Sequence, residues 1–223
     1  MSRPHDRSSA RSLDPSLVGL LAAFLAAFLL SNLAARPAQA TSEEDWRLDK
    51  QQDGVEVHTR PVPGSGIRAF RGVTEMPFPA DDILRLLRDA DRFSSWFPNC
   101  PESKLLGRRD EISYQYSVMD SPWPVSDRDN VWRSELRREA ESGRIVIDLS
   151  AAPDHHPEQE GRVRVREAHG AWQLDPTPDG GTRVTFRMHL EPGGGVPDWL
   201  INTRVVETPF QALVNLRRAL GAK

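Results

Sequence analysis

Arg183-Val184-Thr185-Phe186-Arg187-Met188-His189-Leu190 leads through Pro192 and Gly193-Gly194-Gly195 into Val196-Pro197-Asp198-Trp199-Leu200. Across this stretch the hydrophobic period changes from two to nearly four. Val184, Phe186, Met188 and Leu190 fall on one face of a strand and Arg183, Thr185, Arg187 and His189 on the other, the alternation of a sheet with one apolar side. Beyond the glycines, Val196, Trp199, Leu200, Val206, Phe210, Leu213, Val214 and Leu220 recur at helical spacing. They predict an amphipathic helix over about 196–220, bent near Glu207 because Pro209 lacks a donor N–H and crowds the preceding turn. A sheet with one apolar face needs a cover, and this helix is the one long periodic helix after residue 40.

Upstream, the period of two continues. Strands are expected at about 103–108, 111–119, 128–138, 143–151, 161–168, 170–176 and 182–190, punctuated by the glycine, proline and aspartate clusters that make turns. Ile145, Ile147 and Leu149 share one face, and Val163 and Val165 oppose Arg162, Arg164 and Arg166, a basic row read as a solvated outer face, with contact to anionic lipid as the alternative. Tyr114 and Tyr116 alternate with Gln115 and Ser117, so one of these two sets faces inward. Closer to the start, Ser42-Glu43-Glu44-Asp45-Trp46 reads as a short helix with a serine cap and an acidic first turn, ending by Asp53-Gly54. Val55 to His58 and Ile67 to Thr74 form a hairpin, and Pro79-Ala80-Asp81-Asp82 opens a helix to about Asp89 through Ile83, Leu84, Leu86 and Leu87. Phe93, Trp96 and Phe97 mark a short aromatic turn before Cys100. The pattern by itself therefore gives an α+β fold, a curved antiparallel sheet with one C-terminal helix on its concave face.

Composition bounds the function. The chain has 223 residues, 38% hydrophobic and 27% charged, with 29 basic against 32 acidic side chains and a net charge of −3. That is a globular composition without the basic field that phosphate neutralisation requires, so nucleic acid is not an expected partner. A single cysteine forbids an internal disulfide and a thiolate zinc cage. Residues 1–40 have the order of a secretory signal: Arg3, Arg7 and Arg11, then the uncharged run Leu17 to Leu30, then Ala38-Gln39-Ala40. Cleavage after Ala40 is expected, with an uncleaved anchor as the alternative because Leu17 to Ala35 approaches the roughly 20 residues that span a bilayer. The chain is thus read as exported to a periplasm or exterior. Four arginines and two aspartates lie in residues 1–40, so residues 41–223 carry 25 basic and 30 acidic side chains, a net of −5. They form one expected domain, with Cys100 a lone, buried and inert thiol.

Ser121-Pro122-Trp123-Pro124-Val125-Ser126-Asp127-Arg128-Asp129-Asn130-Val131 resembles the Trp-Pro to Arg-Asp turn of START domains, the steroidogenic-acute-regulatory-related lipid-transfer family. Trp46, Gly54-Val55, Phe70-Arg71-Gly72, Trp96, Gly170-Ala171-Trp172 and Leu213-Val214-Asn215-Leu216-Arg217 follow the family in order. The resemblance implies a helix-grip fold of about nine strands around the terminal helix, with a lipid-sized tunnel between them. In sterol-binding relatives an acidic residue before the turn and an arginine after it form a buried anchor. The matching positions here are Gln115 and Ser134, both uncharged.

The candidate ligand-facing residues are Gln115, Arg128, Asn130, Trp132, Ser134, Trp172, Phe186, Met188, Trp199, Val206 and Phe210. Asp127, Arg128 and Asp129 are read first as pairing within the turn, with presentation of Arg128 to a ligand as the alternative; Trp132 suits either the tunnel wall or the core. His155-His156, flanked by Pro153 and Pro157, is read as a loop and not as a metal site, because adjacent side chains point different ways. Nucleophile-elbow, zinc-protease, phosphate-loop and dinucleotide motifs are absent from the sequence. The expected activity is binding or transfer of a hydrophobic molecule by a monomer in transient contact with membranes, without cofactor or catalytic residue. The alternatives are a cofactor-free cyclase or hydrolase of the same superfold, and an adaptor or sensor with a vestigial cavity.

Overall fold

Asp53 and Gly54 both adopt positive φ, 52° and 71°, which is the twist a two-residue hairpin needs and which Asp-Gly supplies at low cost. They join β1 (Arg47–Gln52) to β2 (Val55–Arg60) in the computed structural model, which describes residues 45–221. The expected N-terminal helix is therefore corrected: residues 47–52 are an edge strand, and Ser42 to Glu44 lie outside the described residues. β1 escapes an alternation reading because Leu48 is its one apolar residue and is itself exposed. The 1–40 leader also lies outside the described residues.

β3 (Ala69–Met76), β4 (Glu102–Arg109), β5 (Ile112–Met119), β6 (Arg128–Arg138), β7 (Ile145–Ala151), β8 (Val163–Arg164), β9 (Glu167–Pro176) and β10 (Thr182–Glu191) complete a ten-stranded sheet. Its order is β1-β2-β3-β10-β9-β7-β6-β5-β4, antiparallel throughout, with the two-residue β8 added parallel to β6. Parity is as the sequence requires: Val184, Phe186 and Met188 are buried on the concave side, while Arg183 and Arg187 face solvent.

The expected strands 161–168 and 170–176 divide differently: the first breaks after β8 at Arg164, and β9 starts at Glu167 and runs unbroken through Gly170. That glycine marks a close approach and not a turn. A Cβ there would lie 2.3 Å from the Arg187 carbonyl oxygen and 3.0 Å from the Met188 Cα, closer than packed atoms come. Gly170→Ala is therefore expected to cost about 1–3 kcal/mol, as overpacked sites do. Differential scanning calorimetry checks this: the midpoint should fall by about 2–4 °C per kcal/mol for a domain of this size. An unshifted midpoint would mean that the two strands are not pinched there.

Among the described residues, two α-helices close the fold. α1 (Ala80–Leu87) starts after Pro79 with Asp81 and Asp82 in its first turn and buries Ile83, Leu84 and Leu86. α2 (Asp198–Gly221) crosses the concave face and continues through Pro209, so the expected bend does not interrupt it. Ala212, Leu213 and Leu216, on the underside of α2, are fully buried. β3 receives it at Gly72, where an added Cβ would stand 2.8 Å from Leu213 Cδ1 and 3.4 Å from Pro209 Cβ. The missing side chain lets the proline turn of the helix rest on the sheet.

Candidate functional site

The concave face is not fully filled by α2. Between them lie two adjoining lobes. The inner, about 130 Å³, is walled by β5, β6, β7, β9 and β10 and ends under α1 at Leu87 and Arg88. The outer, about 190 Å³, lies between Ile67 and Arg68, the 120–128 segment, Pro192 and the first half of α2. Phe70, Met119, Asn130, Met188, Leu190 and Thr208 border both, so the lobes meet at a waist. Each is about ten times or more the space one water needs.

The inner lobe has two unlike walls. On one, Trp172 and Phe186 stack with centroids 3.9 Å apart and Phe70 meets Phe186 edge-on at 5.0 Å. On the other, β5 and β6 bring Ser113 opposite Ser134, Gln115 opposite Trp132 and Ser117 opposite Asn130. Directly paired residues share a face, and all six border the cavity. At the far end Arg88 pairs with Glu111 at 3.4 Å.

The outer lobe is bordered by Arg128. Its Nη2 donates to the Gly193 carbonyl at 3.1 Å, and its Nη1 donates to the Ser126 carbonyl and, at 3.4 Å, to Ser121 Oγ. Burial, the largest influence on it, pulls the guanidinium below its ordinary value, partly offset by Asp127. Asp127 accepts the Ser121 N–H at 2.9 Å, so it closes the loop and does not pair with Arg128 as a charge clamp. Arg128 thus connects the 121–127 loop to the glycine run before α2. Gly193, Gly194 and Gly195 all have positive φ, a conformation that side-chain-bearing residues resist. Trp123 and Trp199, 93% and 69% exposed, project from the two segments that border this lobe.

Gln115, Asn130, Trp132, Ser134, Trp172, Phe186 and Met188 border the inner lobe, and Arg128 borders the outer. Trp199, Val206 and Phe210 border neither. Trp199 is exposed, Val206 is half-buried against the core, and Phe210 is buried with the Lys50 ammonium 3.7 Å from its ring centre. The reason is rotational. Leu200, Ile201, Arg204, Val205 and Thr208 face the cavity, whereas positions 199, 206 and 210 fall on the opposite flank, about 170° round the helix at 3.6 residues per turn. Ser113, Ser117 and Met119 were not among the candidates, although their period-two spacing from Gln115 is the signal that finds them.

Tyr114 and Tyr116 take the convex face, where the 152–165 segment covers them. His155 stacks on Tyr114 at 3.6 Å and His156 meets Tyr116 edge-on at 5.0 Å. Arg162 donates to Tyr116 Oη at 2.6 Å, partly offsetting the burial that pushes this phenol up. The basic row is consequently not a uniform solvated face: Arg164 is buried and pairs through two bonds, 3.0 and 2.8 Å, with the buried Asp129. Asp129 therefore pairs across to β8 and not within the turn. Cys100 is buried, and desolvation pushes its thiol up to about 11.

The sequence pattern of the START domain matches residues 33–223. An uncharacterised Pseudomonas aeruginosa protein is 39% identical over 176 residues, covering 79% of this chain and 87% of its own. The mouse phosphatidylcholine transfer protein is 27% identical, over 71% of this chain and 75% of its own. Among solved structures, a STAR-related lipid transfer protein fragment from Xanthomonas axonopodis is 42% identical with a TM-score of 0.75, covering 79% of this chain and 99% of that one. Human StAR-related lipid transfer protein 5, at 17% identity and a TM-score of 0.70 over 92% of this chain and 97% of its own, shares the fold.

Proposed function

The chain belongs to the START domain family, and on that premise we propose that it binds one lipid-sized hydrophobic molecule in the two-lobed cavity and exchanges it with membranes. The observation that carries this reading is the joined, largely apolar space beneath α2. Each methylene leaving water gains about 0.8 kcal/mol, but a bilayer offers nearly the same gain, so net extraction depends on shape and on polar groups inside. Carriage without chemistry is supported by the pairing of Arg88 with Glu111, Arg68 with Asp49, and Arg128 with backbone carbonyls; Asp120 and Arg204, also at the outer lobe, are open to solvent. The leader composition supports an exported protein.

Trp123 and Trp199 are proposed to enter the bilayer interface, where an indole keeps its N–H wet and its ring out of water. The test is transfer of a pyrene-labelled lipid from phosphatidylcholine vesicles. The wild-type protein should extract the probe, and Trp123→Ala/Trp199→Ala should slow extraction by roughly ten-fold, the equivalent of about 1.4 kcal/mol. Its unfolding midpoint should not change, because both rings are exposed. Absence of extraction by wild type contradicts lipid carriage; equal rates contradict this docking surface.

A further inference from the structure

The inner lobe has a polar wall without hydrogen-bond partners among the described residues. Ser117 is fully buried and its Oγ has no hydrogen-bond partner. Asn130 stands across the β5–β6 ladder from it, 5% exposed. Ser113, Gln115 and Ser134 continue the same face, and among the described residues none of these five side chains bonds to another protein group. Successive inward positions along a strand are about 7 Å apart, so the polar positions from Ser113 to Ser117 span about 14 Å. A saturated chain laid along this wall would desolvate several donors and acceptors without replacing their bonds, which is unfavourable for each. A charged headgroup would be buried there without an opposite charge, because all five are neutral and the adjacent Arg88 and Glu111 pair with each other. The opposite wall, Trp172 stacked on Phe186, is apolar.

Resting on the lipid-binding reading above, we propose that the part of the ligand in the inner lobe is uncharged and amphipathic along its length. It carries two or more hydroxyl, carbonyl or amide groups on the edge that meets Ser117, Asn130 and Gln115, and hydrocarbon on the edge that meets Trp172 and Phe186. Serine hydroxyls and primary amides both donate and accept, so the wall takes alcohols and carbonyls alike and selects for the placement of neutral polar groups.

Four probes with one carbon skeleton test this: octadecane, stearyl alcohol, 12-hydroxystearyl alcohol and 12-hydroxystearic acid. Each is offered in phosphatidylcholine vesicles, and the amount retained by the protein after gel filtration is measured by mass spectrometry. The diol should be retained at least about ten-fold over octadecane, with the mono-alcohol between them and the carboxylate at pH 8 below the diol. Ser117→Ala/Asn130→Leu should bring the diol down to the octadecane level while octadecane retention holds or rises. Should that variant not fold, Gln115→Met, at a half-buried position, is expected to reduce the diol preference alone. Equal retention of diol and octadecane by wild type, a preference for the carboxylate, or a diol preference that survives substitution overturns the inference while leaving lipid binding intact. Retention of none of the four overturns both.

Discussion

Asp129→Ala is expected to destabilise the protein by about 3–5 kcal/mol, a large share of the roughly 5–15 kcal/mol that holds a domain folded. The carboxylate and the Arg164 guanidinium are 1% and 2% exposed at their side chains. Removing Asp129 leaves a buried cation without its counter-charge. Arg164 also donates to the carbonyls of Pro153, His156 and Pro157, so it secures the segment that covers Tyr114 and Tyr116. Asp129→Leu/Arg164→Met should recover part of the loss by removing both charges, but not all of it, because those three carbonyls lose their donor. Urea unfolding of the three proteins checks the order, wild type above double variant above Asp129→Ala. A loss below about 1 kcal/mol for Asp129→Ala would show that water reaches Arg164 and that the convex-face pair is not structural.

A disulfide between Gly66→Cys and Asp198→Cys is expected to slow ligand loading by at least about ten-fold, corresponding to 1.4 kcal/mol or more on the opening step. The first half of α2 walls the outer lobe opposite Ile67 and Arg68. Asn202 spans the same seam, donating to the Gly66 carbonyl at 2.9 Å and accepting the Arg68 N–H at 3.0 Å. For a long hydrophobic molecule to enter, this seam must part, with the Gly193 to Gly195 run as the hinge. A Cβ built on Gly66 would stand 2.6 Å from Asp198 Cγ, so two cysteines there are within bonding reach. Gly66 is not in the positive-φ region, so its backbone accepts a side chain. Cys100 does not compete during oxidation: it is buried, and its raised pKa leaves little thiolate at neutral pH. Loading from vesicles should recover on reduction. Equal rates for the oxidised and reduced protein would contradict a moving helix.

Much of this was legible in the sequence where one face of an element is buried and the other wet. The alternation of Val184, Phe186 and Met188 against Arg183 and Arg187 reports its own orientation, the pattern alone gave one sheet covered by one helix, and the START resemblance added the strand count and the tunnel between them. β1 carried no such signal, because an edge strand with one exposed leucine has no buried face to encode. The strand boundary expected between 168 and 170 is absent, and the role of Gly170 depends on the neighbour it lets in, here the β10 backbone. The polar wall was half legible. Ser117 and Tyr116 alternate in either orientation, and size favours the tyrosine as core. The structure places the tyrosine under its own convex cover and leaves the serine facing the cavity. Trp199, Val206 and Phe210 failed as cavity residues because helical spacing identifies a stripe without saying which flank of it meets the sheet.

The most direct measurement of the central claim is native mass spectrometry of the protein purified from its own cells without detergent, followed by organic extraction of the same sample. The expected result is one hydrophobic molecule bound per chain, released on unfolding and recovered in the extract. A spectrum of unliganded chain alone, with no uptake when the protein is then incubated with lipid vesicles, would contradict carriage in the cavity beneath α2.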